Sequence, residues 1–329
     1  MNKLPKVSVV MSNYNGLDLR LIDKSLPSIL KNSYPNLEVL LVDNASVDKS
    51  LEYVKKNFRN NPKLRIIENP VNMYSVGLNL GIKNSIGKYV AFFNNDAYVE
   101  DGYFEKFVSF LDKNSSVALA QGKLLSSVDH SKIDCVGETM DIFGNPLSFG
   151  HGDKDSEKFN STKEILSVSG SCSILRKSVV KKIGNFDEAY GIGYEDMDLS
   201  LRAWMNDLKV IYFPDVRVFH KRGATDLSPV IRNKVKWHFN KNRIATLIKN
   251  EPSNYLILSL PVVFVFYILM GIYESLIQGK PKLGLARLAS IIWVIYHLPE
   301  LLSKRRKLGK RINNFGKIKN LMIKKFVII

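Results

Sequence analysis

Three acids crowd into the segment Gly193-Tyr194-Glu195-Asp196-Met197-Asp198. Carboxylates this close raise one another's pKa, which suits one of them to act as a general base near neutral pH. If the run opens a helix, the positive end of the helix dipole works the other way and keeps a carboxylate ionised. Acids at a helix start are also a capping pattern, the plainer reading of Asp198. A second set of polar groups stands apart from these acids. Ser12-Asn13-Tyr14-Asn15, Asp43-Asn44 and Asn94-Asn95-Asp96 each follow a short apolar run. One such cluster is what any strand end needs; three of them point to a ligand site.

The elements that must position these groups can be read from periodicity. Residues 7–11, 37–42, 64–67 and 89–93 are short β-branched or aromatic runs that read as strands. Between them, residues 19–32 carry helical spacing (Leu19, Ile22, Leu26, Ile29, Leu30), and residues 49–57 and 74–85 suit helices. Strand–helix alternation predicts a parallel sheet with helices on both faces, and such sheets bind ligands beyond the carboxyl ends of their strands. Farther on, helices are expected at 101–112, 177–183 and 196–206, and a strand at 117–125. Two strands, 210–213 and 216–220, should meet at Pro214-Asp215, with a basic helix over 230–249. The Gly- and Asp-rich segment 129–162 shows no clear period.

The chain has 329 residues, 45% of them hydrophobic, and a net charge of +17. This composition suits one large or two modest domains and excludes a disordered or fibrous chain. Two cysteines, Cys135 and Cys172, without CxxC spacing, argue against a disulfide framework or zinc cluster and for a reducing compartment. No secretory signal stands before the first strand-like run. The positive charge concentrates at the end, where residues 303–329 hold ten basic residues and no acid. Such a block binds an anionic partner or sits in solvent. Ahead of it, residues 252–273 carry no charge, and a helix of that length reaches about 33 Å, near the thickness of a bilayer core. A second apolar stretch, 288–302, precedes Lys304-Arg305-Arg306-Lys307. The order suggests a membrane hairpin with its basic end on the cytoplasmic face and anionic lipid as a partner. Basic residues in the loop (Lys280, Lys282, Arg287) blur that topology. Helices lying in the interface, or a buried helix with an amphipathic neighbour, fit the same residues.

Taken in order, the motifs resemble a family-2 glycosyltransferase of the GT-A fold, in its rhamnosyltransferase-like subgroup. The resemblance runs from about residue 6 to residue 243. It rests on Val7-Ser8-Val9-Val10-Met11-Ser12-Asn13-Tyr14-Asn15-Gly16, on Val42-Asp43-Asn44-Ala45-Ser46, on Asn72 to Gly77 with Asn79 and Gly81, and on Asn94-Asn95-Asp96 at the place of a DxD motif. On the acceptor side it rests on Ser169-Gly170-Ser171, Ile183-Gly184-Asn185-Phe186-Asp187-Glu188 and Tyr194-Glu195-Asp196-Met197-Asp198-Leu199-Ser200-Leu201-Arg202. The resemblance implies an α/β, Rossmann-like and mostly parallel sheet over 1–250, with a nucleotide half to about 100 and an acceptor half after it. The apolar helices (251–302) and the basic tail (303–329) would follow.

It also implies an inverting transfer of sugar from a nucleoside-diphosphate sugar to a glycan or lipid-linked acceptor at the cytoplasmic membrane face. Asp196, assisted by Glu195, would be the base. Ser12, Tyr14, Asn15, Asp43, Asn72, Gly77, Asn79 and Asn95 would line the donor site, with Asp43 accepting from a pyrimidine N–H or, alternatively, capping a helix. Asp96 would hold a divalent metal, Mg²⁺ or Mn²⁺, with Asn94 standing where the motif usually has its first Asp. His220 would add a metal or phosphate contact, or serve only as a strand-end hydrogen-bonder. A dinucleotide-dependent dehydrogenase is excluded by the absence of GxGxxG after the first strand. No motif supports a nucleic-acid partner. A non-catalytic membrane scaffold that kept the fold is the remaining alternative.

Overall fold

The computed structural model describes residues 4–17, 21–223 and 229–324. Its first half alternates β1 (Val7–Asn13), α1 (Ile22–Leu30), β2 (Leu37–Asn44), α2 (Ser50–Phe58), β3 (Leu64–Asn69), α3 (Tyr74–Asn84) and β4 (Tyr89–Asn94). Leu19 and the predicted start of the first helix lie outside the described residues. β5 (Ala97–Val99), α4 (Tyr103–Lys113), β6 (Val117–Ser126), β7 (Ile133–Cys135), β8 (Glu138–Met140), β9 (Pro146–Ser148), β10 (Lys163–Glu164) and β11 (Cys172–Arg176) follow. Next come α5 (Val180–Ile183), α6 (Glu195–Met205), β12 (Lys209–His220) and α7 (Pro229–Asn250). The chain then adds α8 (Ser253–Ile272), α9 (Pro281–Tyr296), α10 (Leu298–Leu308) and α11 (Phe315–Leu321).

Ten of these strands form one sheet among the described residues, with main path β10-β12-β6-β11-β4-β1-β2-β3. β3, β2, β1 and β4 run parallel, as the alternation predicts. β11 is antiparallel to both β4 and β6, so the sheet is mixed. Period-two alternation divides the core between its faces. Val10, Leu40 and Phe92 meet α3 and α6 through Leu78, Ile82 and Leu199, while Val9, Val39 and Ala91 belong to the cluster containing Leu26, Ile29, Phe104 and Phe107. β2 and β4 flank β1 on either side. The three polar strand ends therefore sit side by side.

Two expectations are corrected. The strands expected at 210–213 and 216–220 are one strand, β12, whose pairing with β6 is bulged between Tyr212 and Arg217. Pro214 lies in that bulge, where its missing N–H breaks no ladder bond. The bulge needs Gly122 opposite it, because a Cβ there would come within 2.7 Å of the Val216 carbonyl oxygen.

The basic tail is not a separate segment as far as Lys324. Ile312, Phe315, Ile318 and Met322 enter the same core as α6. Thr139 Oγ1 donates to the Leu321 carbonyl (2.7 Å), and Ile323 N donates to that of Met140 (3.0 Å). Arg311 reaches Asn206 Oδ1 at 2.9 Å, and Lys304 reaches Asp187 at 2.7 Å. The tail thus closes against the sheet domain; Lys325 to Ile329 lie outside the described residues.

The apolar segment forms α8 and α9. By length and composition, 253–277 could cross a membrane, and α9 with the helix after it passes the same test only as a pair bent by 63°. α8 buries a single stripe, Ser259, Val263, Tyr267 and Gly271, at spacings of four.

The Gly122 contact yields a test. Gly122→Ala should cost about 1–3 kcal/mol of stability, because the new methyl meets backbone rather than a movable side chain. Chemical denaturation measures it; an unchanged midpoint would show that the bulge does not depend on this glycine.

Candidate active site

The strand ends are joined by side-chain amides. Asn13 Nδ2 donates to Asp43 Oδ1 (2.7 Å) and lies 3.0 Å from Ser50 Oγ. Asn95 Nδ2 donates to Asn13 Oδ1 at 2.9 Å. Asn44 Nδ2 donates to Ser12 Oγ (2.9 Å), and Asn69 Nδ2 donates to Asn44 Oδ1 (2.8 Å). The network is largely buried, where satisfied hydrogen bonds rigidify the site. Two turns complete it. Asn15 (φ 50) and Ala45 (φ 55) adopt the left-handed conformation, and the Asn15 side-chain oxygen accepts from Val47 N at 2.8 Å. Asp43 is therefore a turn holder, accepting from Ser46 N (3.0 Å) and Ser46 Oγ (2.6 Å), and does not cap α2.

The other sequence-derived donor-site residues have distinct positions. Tyr14 is half-buried, and its carbonyl lies 3.4 Å from Asn95 Nδ2. Gly77 leaves room for Asn44, since a Cβ would stand 2.3 Å from Asn44 Oδ1. Asn79 is engaged elsewhere. Its amide donates to the Phe186 carbonyl and Glu188 Oε1 (both 2.9 Å) and accepts from Phe186 N (3.1 Å), bracing the loop ahead of α6. Asn72 is exposed in the turn before α3.

β12 delivers His220 opposite Ala97, beside Asp96. His220 Nε2 lies 3.3 Å from Asp96 Oδ1, and its Nδ1 lies 2.8 Å from Asp134 Oδ2. Arg222 holds the other Asp134 oxygen at 2.6 Å. Burial works to lower the His220 pKa, but the Asp134 and Asp96 carboxylates outweigh it and push it up to about 9. Asp96 Oδ1 is buried and has no well-formed hydrogen bond among the described residues. Asp96 Oδ1 and His220 Nε2 offer an oxygen and a nitrogen ligand to a divalent cation provided the ring gives up the proton that now pairs it with Asp96, while Asp134 fixes its far nitrogen. Among the described residues no group of three His, Cys, Asp or Glu could hold a metal, so water or phosphate oxygens would have to complete such a shell.

The acidic segment sits at the start of α6. Gly193 (φ 82) and Tyr194 (φ 68) are consecutive left-handed residues, and the Tyr194 hydroxyl is tied to the Gly144 carbonyl at 2.8 Å. This turn brings Asp196 to the loop before β11, where its Oδ2 accepts from Gly170 N at 2.7 Å. Burial pushes the Asp196 pKa up to about 6, against the opposing pull of backbone N–H groups from Met197 and Gly170. The cause thus differs from the sequence reading, which credited the neighbouring acids. Glu195 is raised further, by burial and then by Asp196, and its Oε2 has no hydrogen-bond partner among the described residues. Asp198 is not a cap. It is fully buried, 2.8 Å from Lys249 and 2.9 Å from Arg202, and these cations overcome its burial to hold its pKa low.

Sequence reasoning missed the connecting groups. The Tyr74 hydroxyl lies 2.8 Å from both Asn94 Oδ1 and the Gly170 carbonyl, and so links the β4 end to the loop that holds Asp196. Burial and the nearby Glu195, Asp196 and Asp96 carboxylates raise its pKa. Glu138 is pushed up to about 8 by burial and then by Asp196, which makes it a third acid of the cluster. Asp134 and Glu138 both fall in the segment without period, so only their residue type could have flagged them.

Against known families, residues 8–184, more than half of the chain, match the model for "Glycosyl transferase family 2". The chain belongs to that family. An uncharacterized glycosyltransferase of Haemophilus influenzae is 31% identical over 151 residues, covering 45% of this chain and 46% of that one. The O-antigen biosynthesis protein RfbC of Myxococcus xanthus is 28% identical over 250 residues, 71% of this chain but 18% of RfbC. The chain thus spans less than half the length of these two curated relatives. Among solved structures, GalNAc-T7 with UDP, GalNAc and Mn²⁺ aligns with a TM-score of 0.60 at 15% identity, over 91% of this chain and 58% of that one. S. aureus TarS 1-349 in complex with UDP-GlcNAc aligns at 0.57 and 18%, over 96% and 90%. The fold is GT-A.

The Tyr74 link gives the second test. Tyr74→Phe removes one hydroxyl from two part-buried acceptors and should cost about 0.5–1.5 kcal/mol of stability. It should also slow glycosyl transfer by about tenfold or more, the equivalent of about 1.4 kcal/mol in the barrier. Kinetics on the folded variant decide the matter; wild-type turnover would reduce Tyr74 to a packing residue.

Proposed function

We propose that this family-2 enzyme moves a sugar from a nucleoside-diphosphate donor, with inversion, to a glycan or lipid-linked acceptor at the cytoplasmic face of a membrane. UDP is the nucleotide best supported, since both GalNAc-T7 and TarS were crystallised with UDP or its sugar. The RfbC likeness is compatible with a surface polysaccharide and with the rhamnosyltransferase-like subgroup. The observation that carries the reading is a continuous chain of contacts. It runs from Asp196 through Gly170 and Tyr74 to Asn94, one strand from the amide network on β1 and β2.

In this reading the ends of β1 and β2, with Ser12, Tyr14, Asn15 and Asp43, receive the nucleoside, and Asn95 steadies them from β4. Asn72 adds a contact at the rim. Gly77 and Asn79 act at one remove, by admitting Asn44 and by holding the 186–188 loop. Asp96 and His220 would hold a divalent cation, Mg²⁺ or Mn²⁺, which when bound neutralises charge on the departing diphosphate. Asp134 fixes the ring of His220 for that contact. Asp196 takes the proton of the acceptor hydroxyl. The acceptor oxygen forms its bond to the anomeric carbon as the carbon–oxygen bond to the diphosphate breaks, and the nucleotide leaves with that electron pair. Burial raises the Glu195 pKa well above the usual carboxylate range, which disfavours a second charge beside the base.

Asp196→Asn should lower transfer by about 10²–10⁴-fold while UDP binding stays near wild type by calorimetry. A base must be ionised to work, and the Asp196 pKa is raised to about 6. The wild-type rate should therefore fall as pH drops through about 6, and the residual rate of the Asn variant should lack that limb. Near-normal turnover by Asp196→Asn would remove Asp196 as the base. Absence of transfer across a panel of nucleotide sugars, with Mn²⁺ present, would favour the inert scaffold.

A further inference from the structure

α7 lies between the active-site segment and the apolar hairpin, and it holds both. On one side, Asn242 Nδ2 lies between the carbonyls of Tyr190, Ile192 and Gly193, at 2.8, 2.9 and 2.7 Å, and shares its two hydrogens among them. Lys249 pairs with Asp187 at 2.6 Å and Asp198 at 2.8 Å on that side. On the other side, Ser259 Oγ donates to Glu251 Oε2 (2.7 Å), just beyond the end of α7, and the Tyr267 hydroxyl donates to the Asn240 carbonyl (3.3 Å). α8 therefore runs antiparallel along the second half of α7. α9 packs there too, with the Lys241 ammonium 4.3 Å from the centre of the Trp293 ring.

A helix crossing a bilayer must leave the globular domain behind in water. α8 cannot do so, because its buried stripe is docked along α7. Taking α8 through the hydrocarbon would take Lys241, Arg243, Lys249 and the Asp187–Asp198 segment with it, and a charge at bilayer depth costs at least about 2.5–3.5 kcal/mol. The outward face is nonetheless built for lipid. Leu258, Val265 and Leu269 on α8 are 56–70% exposed, and Leu285, Ile292 and Tyr296 on α9 are 60–81% exposed. Within each helix they recur at spacings of four and seven, one stripe per helix. Soluble surfaces rarely carry so continuous an apolar face.

The hairpin's own charges are settled internally. Arg287 makes two bonds to Glu274, at 2.8 and 2.9 Å, and the helices meet so closely that a Cβ on Gly284 would stand 2.2 Å from the Gly271 carbonyl oxygen. Exposed cations stand at the tip (Lys280, Lys282) and in the tail (Arg306, Lys307, Lys310). Each adds about 1 kcal/mol of attraction near an anionic surface. The same cations would repel one another if two copies of the chain met on this face.

We infer that α8 and α9 lie flat in one leaflet of an anionic bilayer and form a monotopic platform under the active site, without crossing the membrane. The inference rests on the membrane part of the proposed function and not on its chemistry. The test uses the full chain with Gln278→Cys at the exposed tip; Cys135 and Cys172 are both buried. The protein is added to preformed vesicles of phosphatidylcholine with phosphatidylglycerol, recovered by flotation and treated with a membrane-impermeant maleimide.

The expected result is flotation that weakens without phosphatidylglycerol, and full labelling of residue 278 before detergent. Leu258→Glu with Leu269→Glu should weaken flotation by about tenfold or more while leaving circular dichroism and UDP binding unchanged. Labelling only after detergent overturns the inference and leaves membrane association standing. Failure to float overturns both, and a concentration-dependent dimer by light scattering would then assign the face to a second copy. Transfer to a soluble acceptor, measured on the same sample, tests the proposed chemistry separately.

Discussion

Asp196 is buried, yet the proposed base must be able to give up its proton, and backbone amides reconcile the two demands. Water is largely excluded from the start of α6, which alone would hold the acid neutral. The amide hydrogens of Gly170 and Met197 replace that lost solvation and keep the pKa within reach of neutrality. The arrangement requires α6 to begin at a fixed point against the loop before β11. The left-handed pair Gly193-Tyr194 sets that point, at the cost of strain in a tyrosine backbone. Gly170 sits close under both acids, since a Cβ there would stand 3.2 Å from Asp196 Oδ2 and 3.4 Å from Glu195 Oε1, so any larger residue would have to push the carboxylates aside by a few tenths of an ångström.

The strain is held by charge on the next turn of the helix. Asp198 meets Lys249 and Arg202, and Asp187 meets Lys249 and Lys304, so α6, α7, α10 and the loop before α6 share one network. Buried pairs of this kind are weak sources of net stability, but losing one partner strands a charge at about 3–5 kcal/mol. Their effect is therefore to fix one arrangement. They connect the helix that carries Asp196 through α7 to the apolar hairpin, so the surface that would meet lipid and the carboxylate that would meet the acceptor belong to one rigid unit.

Much of this was legible in the sequence because its signals are local. β-branched runs ending in Asn, Asp and Ser located the strand ends, and the structure sets those ends side by side. The acids of 195–198 announced a site, and the family resemblance singled out Asp196, but what packs against each acid was not legible. Asp196 and Asp198 differ only in what packs against them, backbone amides in one case and Lys249 in the other, and neither neighbour is near in sequence. Asp134, Glu138 and Tyr74 were missed for the same reason. His220 finds Asp134 across 86 residues, from a segment whose short strands carry no period. The tail misled in another way. Its dense positive charge masked Phe315, Ile318 and Met322, three apolar residues at helical spacing that return it to the core.

The central claim is that the strand-end network and the start of α6 form one donor and acceptor site. Crystals soaked with UDP and Mn²⁺ test it most directly through an anomalous difference map. The account predicts a manganese peak against Asp96 and His220, the uridine over the ends of β1 and β2, and the Asp196 carboxylate facing the space next to the terminal phosphate where a sugar would sit. A manganese peak away from Asp96, or a nucleotide bound elsewhere than the 12–15 and 43–46 turns, would contradict it.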